Sequence, residues 1–148
     1  LPFRVRDGVL EVLIAHMGGP FWAKKDAGAW SVIKGEHEPG DDPIAAARRE
    51  WAEETGTAVP DGELVALGEV RQNSGKRVRA WAVEAPELDP LAFASNTFEM
   101  EWPPRSGRLQ QFPEIDRAEW TSLELAAERL VAGQRPLLAA LAAALSER

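Results

Sequence analysis

Gly35-Glu36-His37-Glu38-Pro39-Gly40-Asp41, running through Asp42-Pro43-Ile44 into Arg49-Glu50-Trp51-Ala52-Glu53-Glu54-Thr55-Gly56-Thr57, is the stretch that decides how this chain folds. Its second half is written as a helix. Asp42 can cap the first turn, and Pro43 suits the first helical position, where a missing N–H is no loss. Ala45 to Glu54 are mostly good helix formers, and Gly56 ends the run. At about 100° per residue, Glu50, Glu53 and Glu54 fall within an arc of about 100°, while Ile44, Ala47, Trp51 and Thr55 cluster on another side. The helix therefore has a packed face and a carboxylate face.

Three like charges one turn apart repel, and nothing in helix stability favours them without a counter-ion. Their hard oxygen donors suit Mg²⁺ or Mn²⁺, which binds a few carboxylates, keeps some waters and takes up substrate phosphates. Such an ion activates a water for attack at phosphorus and stabilises the leaving oxyanion. Arg49 is placed to hold a glutamate by a bidentate pair. Gly35 and Gly40 let the preceding loop bend over the helix start, where Glu38 and Asp41 add carboxylate oxygens. Taken alone, the same glutamates also fit an acidic, solvated helix face with Arg49 as a surface partner.

The spacing goes further. Gly35, five residues, Asp41, seven residues, Arg49-Glu50-Trp51, one residue, Glu53-Glu54, one residue and Gly56-Thr57 closely resembles the Nudix box. Asp41 stands where the family has Glu, and Trp51 and Thr57 where it has aliphatic residues; Asp41 is the shorter acid, and Trp51 bears on core packing. The resemblance implies an α/β (α+β) fold, an α/β/α sandwich around a mixed β-sheet. It also implies a metal-dependent pyrophosphohydrolase acting on a nucleoside diphosphate linked to another moiety. On it, Glu50, Glu53 and Glu54 are metal ligands, and Arg49 orients them. Gly35 belongs to the loop, and the general base is Glu50 or a glutamate outside the box, Glu99 or Glu101.

Trp30-Ser31-Val32-Ile33-Lys34-Gly35, with Glu38-Pro39-Gly40-Asp41-Asp42, resembles the corresponding segment of diadenosine-tetraphosphate hydrolases and diphosphoinositol-polyphosphate phosphatases. That likeness favours a dinucleoside polyphosphate, with Lys34 on a substrate phosphate as a point charge. Diphosphoinositol polyphosphate, ADP-ribose, capped RNA ends and nucleoside triphosphates stay open. A nucleotide-binding module that does not cut is the rival; retention of all three box glutamates with Arg49 favours the enzyme.

Outward from the box, the first residues and Val9 to Met17 read as two strands turned at Asp7-Gly8. Gly18 to Ala29 reads as a loop and Trp30 to Lys34 as a short strand. Glu63 to Val70 and Arg77 to Glu84 form a second hairpin through Asn73-Ser74-Gly75. Ala85 to Ser95 is irregular. Thr97 to Trp102 alternates, with Glu99 and Glu101 on one face, Arg117 to Trp120 is another short strand, and Leu123 to Leu145 is two helices or one broken near Gly133 and Pro136.

The 148 residues, 45% of them hydrophobic, suit one domain over 1–148. No apolar run spans a bilayer and the start lacks the layout of an export signal, so no membrane partner is expected. The absence of cysteine excludes disulfides, thiolate metal sites and a cysteine nucleophile, and is compatible with a cytoplasmic protein. A net charge of −7 argues against a stable nucleic-acid complex and leaves a small phosphorylated substrate, with a cation or clustered bases at Lys24-Lys25, Lys76 to Arg79 or Arg105 to Arg108 to receive it. Arg105 and Arg108 are equally explained as solvated turn residues. Phe21, Trp22 and Trp102 are candidates to stack on a base, although core packing accounts for most tryptophans. His16, late in a strand, and His37, in a loop, are given no catalytic role.

Overall fold

The chain is described here from a computed structural model, which covers residues 1–33, 40–72, 75 and 77–147. β1 (Pro2–Arg6) and β2 (Val9–Met17) form the expected hairpin. Asp7 (φ 53°) and Gly8 (φ 78°) are both left-handed, the turn geometry that matches the twist of paired strands. β3 (Trp30–Ser31) follows, then α1 (Pro43–Thr55). A second hairpin of β4 (Val65–Arg71) and β5 (Arg77–Glu84) starts two residues later than the sequence suggests. Asn73 and Ser74 of its turn, and the neighbouring Lys76, lie outside the described residues.

The sheet is mixed. β1 pairs with β2 antiparallel and with β5 in parallel, giving the order β3-β2-β1-β5-β4. β2 carries β1 along its first half and β3 at Ala15 and His16, while β8 (Ile115–Ser122) runs antiparallel along Glu11 to Met17 on the other edge. That last strand is twice as long as the Arg117 to Trp120 run marked by its apolar residues.

β2 is covered on both faces, so Val12 through His16 are all buried, and alternation is lost in the middle of the strand. Val12, Ile14 and Trp30 join Val78, Ala80 and Ala82 of β5 in one core with Ala126, Leu130, Leu137, Leu138 and Leu141. The last five belong to or flank α2 (Leu123–Arg129) and α3 (Pro136–Ser146), which are two helices rather than one broken near Gly133 and Pro136. On the other side, Ala47 and Trp51 of α1 face Trp81 and Val83 of β5 across a small cavity. Helices therefore cover both faces of the sheet. No helix among the described residues is long and apolar enough to cross a membrane.

A buried glutamine joins the C-terminal helices to the strand that leads into the box. Gln134 Oε1 accepts from the Val32 N–H at 2.9 Å, and its Nε2 donates to Ser31 Oγ (3.0 Å) and Gln72 Oε1 (2.8 Å). The turn reaches them because Gly133 has no side chain: a Cβ there would meet Gln72 Cα at 2.6 Å. Gln134→Leu keeps the volume and leaves the Val32 donor buried without an acceptor. We expect it to lower unfolding free energy by about 2 kcal/mol, read from urea midpoints at unchanged slope; a loss under about 0.5 kcal/mol would show that water replaces the amide there.

Candidate active site

α1 is capped as its sequence requires. Asp42 accepts from the Ile44 N–H at 3.1 Å, Pro43 opens the helix, and Gly56 closes it at φ 72° with its N–H on the Ala52 carbonyl. Ala46, Trp51 and Thr55 are buried. Trp51 fills its larger volume by edge-to-face packing on Phe93, with ring centroids 5.7 Å apart, and donates its indole N–H to the Ala58 carbonyl. The polar Thr57 is accommodated by the Thr55 hydroxyl at 2.9 Å. Ile44, in the first turn, stays 36% exposed.

The glutamates occupy a neighbouring arc of the helix, which also carries the buried Ala46. Glu53 is exposed, and Glu50 and Glu54 are half-buried. Arg49 stands 3.7 Å from Glu50 Oε1, close enough to orient it, with half of its own side chain in water. The cavity behind α1, about 60 Å³, is lined by Val32, Ile44, Ala47, Trp51, Ala80 and Val83 among others, and by none of the three glutamates. Asp41 is exposed at the helix entrance. Lys34, Gly35, Glu36, His37 and Glu38 lie outside the described residues.

The C-terminal end of α1 is fastened to a feature that sequence reasoning missed. Among the described residues β6 (Thr97–Glu101) pairs only with β7 (Leu109–Pro113), making a separate two-stranded sheet. β7 buries little and ends in proline, so it carries no strand pattern. The Asn96 N–H donates to the Glu53 carbonyl (3.1 Å), the Glu114 N–H to the Asn96 carbonyl (2.9 Å), and the Gly18 N–H to the Glu114 carbonyl (2.9 Å). Three consecutive main-chain bonds thus run from the carboxylate helix, across the hairpin root, to the loop after β2. Glu99 and Glu101 occupy the exposed face of β6, as their alternation predicts. Glu101 turns toward its own hairpin, accepting from the Gly107 N–H at 3.4 Å. Arg105 and Arg108 are exposed in the hairpin turn, and Arg77 and Arg79 face Glu69 at 3.7 and 4.0 Å.

The Gly18 to Ala29 loop is held from beneath. His16, fully buried, places Nε2 2.7 Å from the Lys25 carbonyl and Nδ1 2.9 Å from Asp116 Oδ1. A carbonyl only accepts, so Nε2 carries a proton. Trp30 donates its indole N–H to Asp26 at 3.0 Å and has the guanidinium groups of Arg129 (4.6 Å) and Arg117 (5.1 Å) over its ring, with His16 edge-on at 5.2 Å. No periodicity announces this: a histidine inside an apolar strand and a tryptophan at a strand start both read as plain core. Of the three candidate stacking residues, Trp22 and Trp102 are half-buried, and Phe21 is 59% exposed.

Among the described residues, no three His, Asp or Glu side chains converge closely enough to hold an ion. By type the donors fit one: Glu50, Glu53 and Glu54 offer only carboxylate oxygens from one helix face, the donor chemistry of a hard divalent cation.

The family model for the NUDIX domain matches residues 3–141. Among solved structures, an Ap4A hydrolase of C. elegans in a binary complex is 21% identical, with a TM-score of 0.67 over 99% of this chain and 96% of that one. The ORF135 protein of E. coli is 28% identical, with a TM-score of 0.55 over 99% and 89%. The NUDIX domain of NrtR from Shewanella oneidensis, crystallised with ADP-ribose, is 15% identical, with a TM-score of 0.58 over 97% and 83%. No curated protein matches the chain. The mixed sheet, the capped carboxylate helix and the family match agree: this chain belongs to the NUDIX family. It is a pyrophosphohydrolase, and members of that family generally use divalent metals.

Proposed function

We propose that this chain hydrolyses a phosphoric anhydride bond in a nucleoside diphosphate linked to another moiety, with a dinucleoside polyphosphate as favoured substrate. The observation that carries the reading is the helix itself: Glu50, Glu53 and Glu54 share one arc of α1, beside that of Trp51 and Thr55, between an Asp42 cap and a Gly56 stop. The sequence likeness of Trp30 to Gly35 and Glu38 to Asp42 favours the dinucleoside substrate. The overall resemblance to an Ap4A hydrolase is compatible with it.

In this reading Glu50, Glu53 and Glu54 hold Mg²⁺, for which Mn²⁺ can substitute, and Arg49 keeps Glu50 in position. Bound there, the ion supplies charge neutralisation and a water of lowered pKa. Lys34 and Gly35 receive substrate phosphate from the box loop. A carboxylate, Glu50, Glu99 or Glu101, takes the proton as the water oxygen bonds to phosphorus and the bridging P–O bond breaks, releasing two phosphorylated products.

The test is a product assay on dinucleoside polyphosphates, ADP-ribose, diphosphoinositol polyphosphate and nucleoside triphosphates, with Mg²⁺, Mn²⁺ or chelator, for wild type and Glu53→Gln. Metal-dependent cleavage that collapses in the variant supports the reading. Metal-dependent nucleotide binding without turnover of any compound replaces it with a binding module. Glu99→Gln and Glu101→Gln, assayed alongside, separate the bases: removing the base abolishes the low-pH limb of the pH–rate profile.

A further inference from the structure

We propose that the loop between β2 and β3 is a preformed binding site for a nucleoside and its adjacent phosphate, with Phe21 as the stacking surface and Lys25 as the anion contact. The inference rests on the reading above that the substrate is a nucleotide, and it names the part of the chain that recognises its non-scissile end.

Phe21 is a large aromatic ring left 59% exposed on a 148-residue chain that buries Trp30 and Trp51. It is not loosely held. Trp22, packed against the core, meets it edge-to-face with centroids 4.8 Å apart. The Lys25 ammonium lies 3.6 Å from the Phe21 centroid and 5.4 Å from that of Trp22, and among the described residues it forms no salt bridge. In a chain of net charge −7, carboxylates are plentiful, yet this lysine rests on an aromatic face. An ammonium so placed is available to an incoming phosphate, and moving a lysine side chain off the ring exposes a flat surface for a base. Base stacking on aromatic side chains combined with cationic contact to the phosphate is the general means of gripping a nucleotide without reading its sequence.

The loop has no regular secondary structure, yet it is fixed from Gly18 to Ala29. Trp22 N–H bonds to the Gly19 carbonyl, Lys25 N–H to that of Trp22, Ala29 N–H to that of Asp26, and Gly28 N–H to that of Glu128. His16 holds the Lys25 carbonyl from the core. A site already ordered loses little conformational freedom on binding. Its position is also connected to the chemistry. The main-chain bonds from Glu53 through Asn96 and Glu114 reach Gly18, three steps of roughly 5 Å each at the spacing of paired strands.

The experiment is calorimetric titration of the full chain in chelator with AMP, ATP and tripolyphosphate, for wild type, Phe21→Ala, Phe21→Trp and Lys25→Gln. Phe21→Ala should weaken AMP about tenfold and leave tripolyphosphate unchanged, and Phe21→Trp should restore AMP binding. Lys25→Gln should weaken tripolyphosphate and ATP severalfold. On the hydrolysed substrate, Phe21→Ala should raise KM with kcat within about twofold. AMP that fails to bind wild type, or binds Phe21→Ala as tightly, overturns the proposal. A wild type that binds AMP through Phe21 and cleaves nothing refutes the hydrolytic reading alone; a cleaving wild type with an indifferent Phe21→Ala refutes this one alone.

Discussion

Glu50→Gln should lose roughly 100-fold or more in kcat while the protein stays folded. The substitution keeps the shape and hydrogen-bonding reach of the side chain and removes one negative charge. Glutamine and glutamate have nearly equal helix propensity, so α1 has no intrinsic reason to fray. Its anchors, the Asp42 cap and the buried Trp51 and Thr55, are untouched. What changes is the carboxylate face: Arg49, 3.7 Å away, loses an anion to orient, and on the proposed reading a divalent cation loses one of three charged donors. Two measurements should move together, the rate at saturating metal and the metal concentration giving half-maximal rate, which should rise. A variant with the wild-type rate and metal dependence would take Glu50 out of the mechanism.

The largest stability loss is expected at Trp30. Trp30→Ala should cost about 3–5 kcal/mol, a large share of the 5–15 kcal/mol typical of a whole domain. The indole is fully buried, donates to Asp26, and packs against Arg117, Arg129 and His16. Removing it opens a cavity beneath two guanidinium groups, and Asp26 keeps only its approach to Arg129 Nε at 3.4 Å. Denaturant midpoints should fall accordingly. Trp30→Phe, which retains much of the volume and loses the N–H, should cost about 1–2 kcal/mol. An alanine variant less than about 1 kcal/mol below wild type would show that the guanidinium groups close over the gap.

The sequence disclosed those parts of the molecule that are local. The first hairpin was readable because Asp7-Gly8 supplies the left-handed pair its turn needs, and α1 because its cap, its proline, its stop and its two faces all lie within fifteen residues. β7 was not readable: a strand paired on one side, with Leu109, Gln110 and Gln111 all in water, needs no alternation. β8 was underestimated for a related reason, since Asp116 and Arg117 lie exposed at the start of a strand whose pairing with β2 sets its length. At the site, the residues that present carboxylates were visible in the box. Those that position the surrounding loops were not, because His16 meets Asp116 one hundred residues away, and Gln134 reaches across a similar distance to Val32.

The hairpin of β6 and β7 is joined to the rest of the enzyme by main-chain hydrogen bonds at Glu53, Asn96, Glu114 and Gly18. Peptide groups are common to every residue, so its length and side chains can be exchanged without redesigning the carboxylate helix beneath. The mount makes one strict demand. At Gly18 a Cβ would sit 1.9 Å from the Pro113 carbonyl oxygen, and at Gly19, where φ is 95°, it would press on Phe98. A library that varies Thr97 to Pro113 while keeping those two glycines, Glu99 and Glu101 treats the hairpin as an interchangeable cartridge, and offers a route to new substrate preferences on an unchanged hydrolytic chassis.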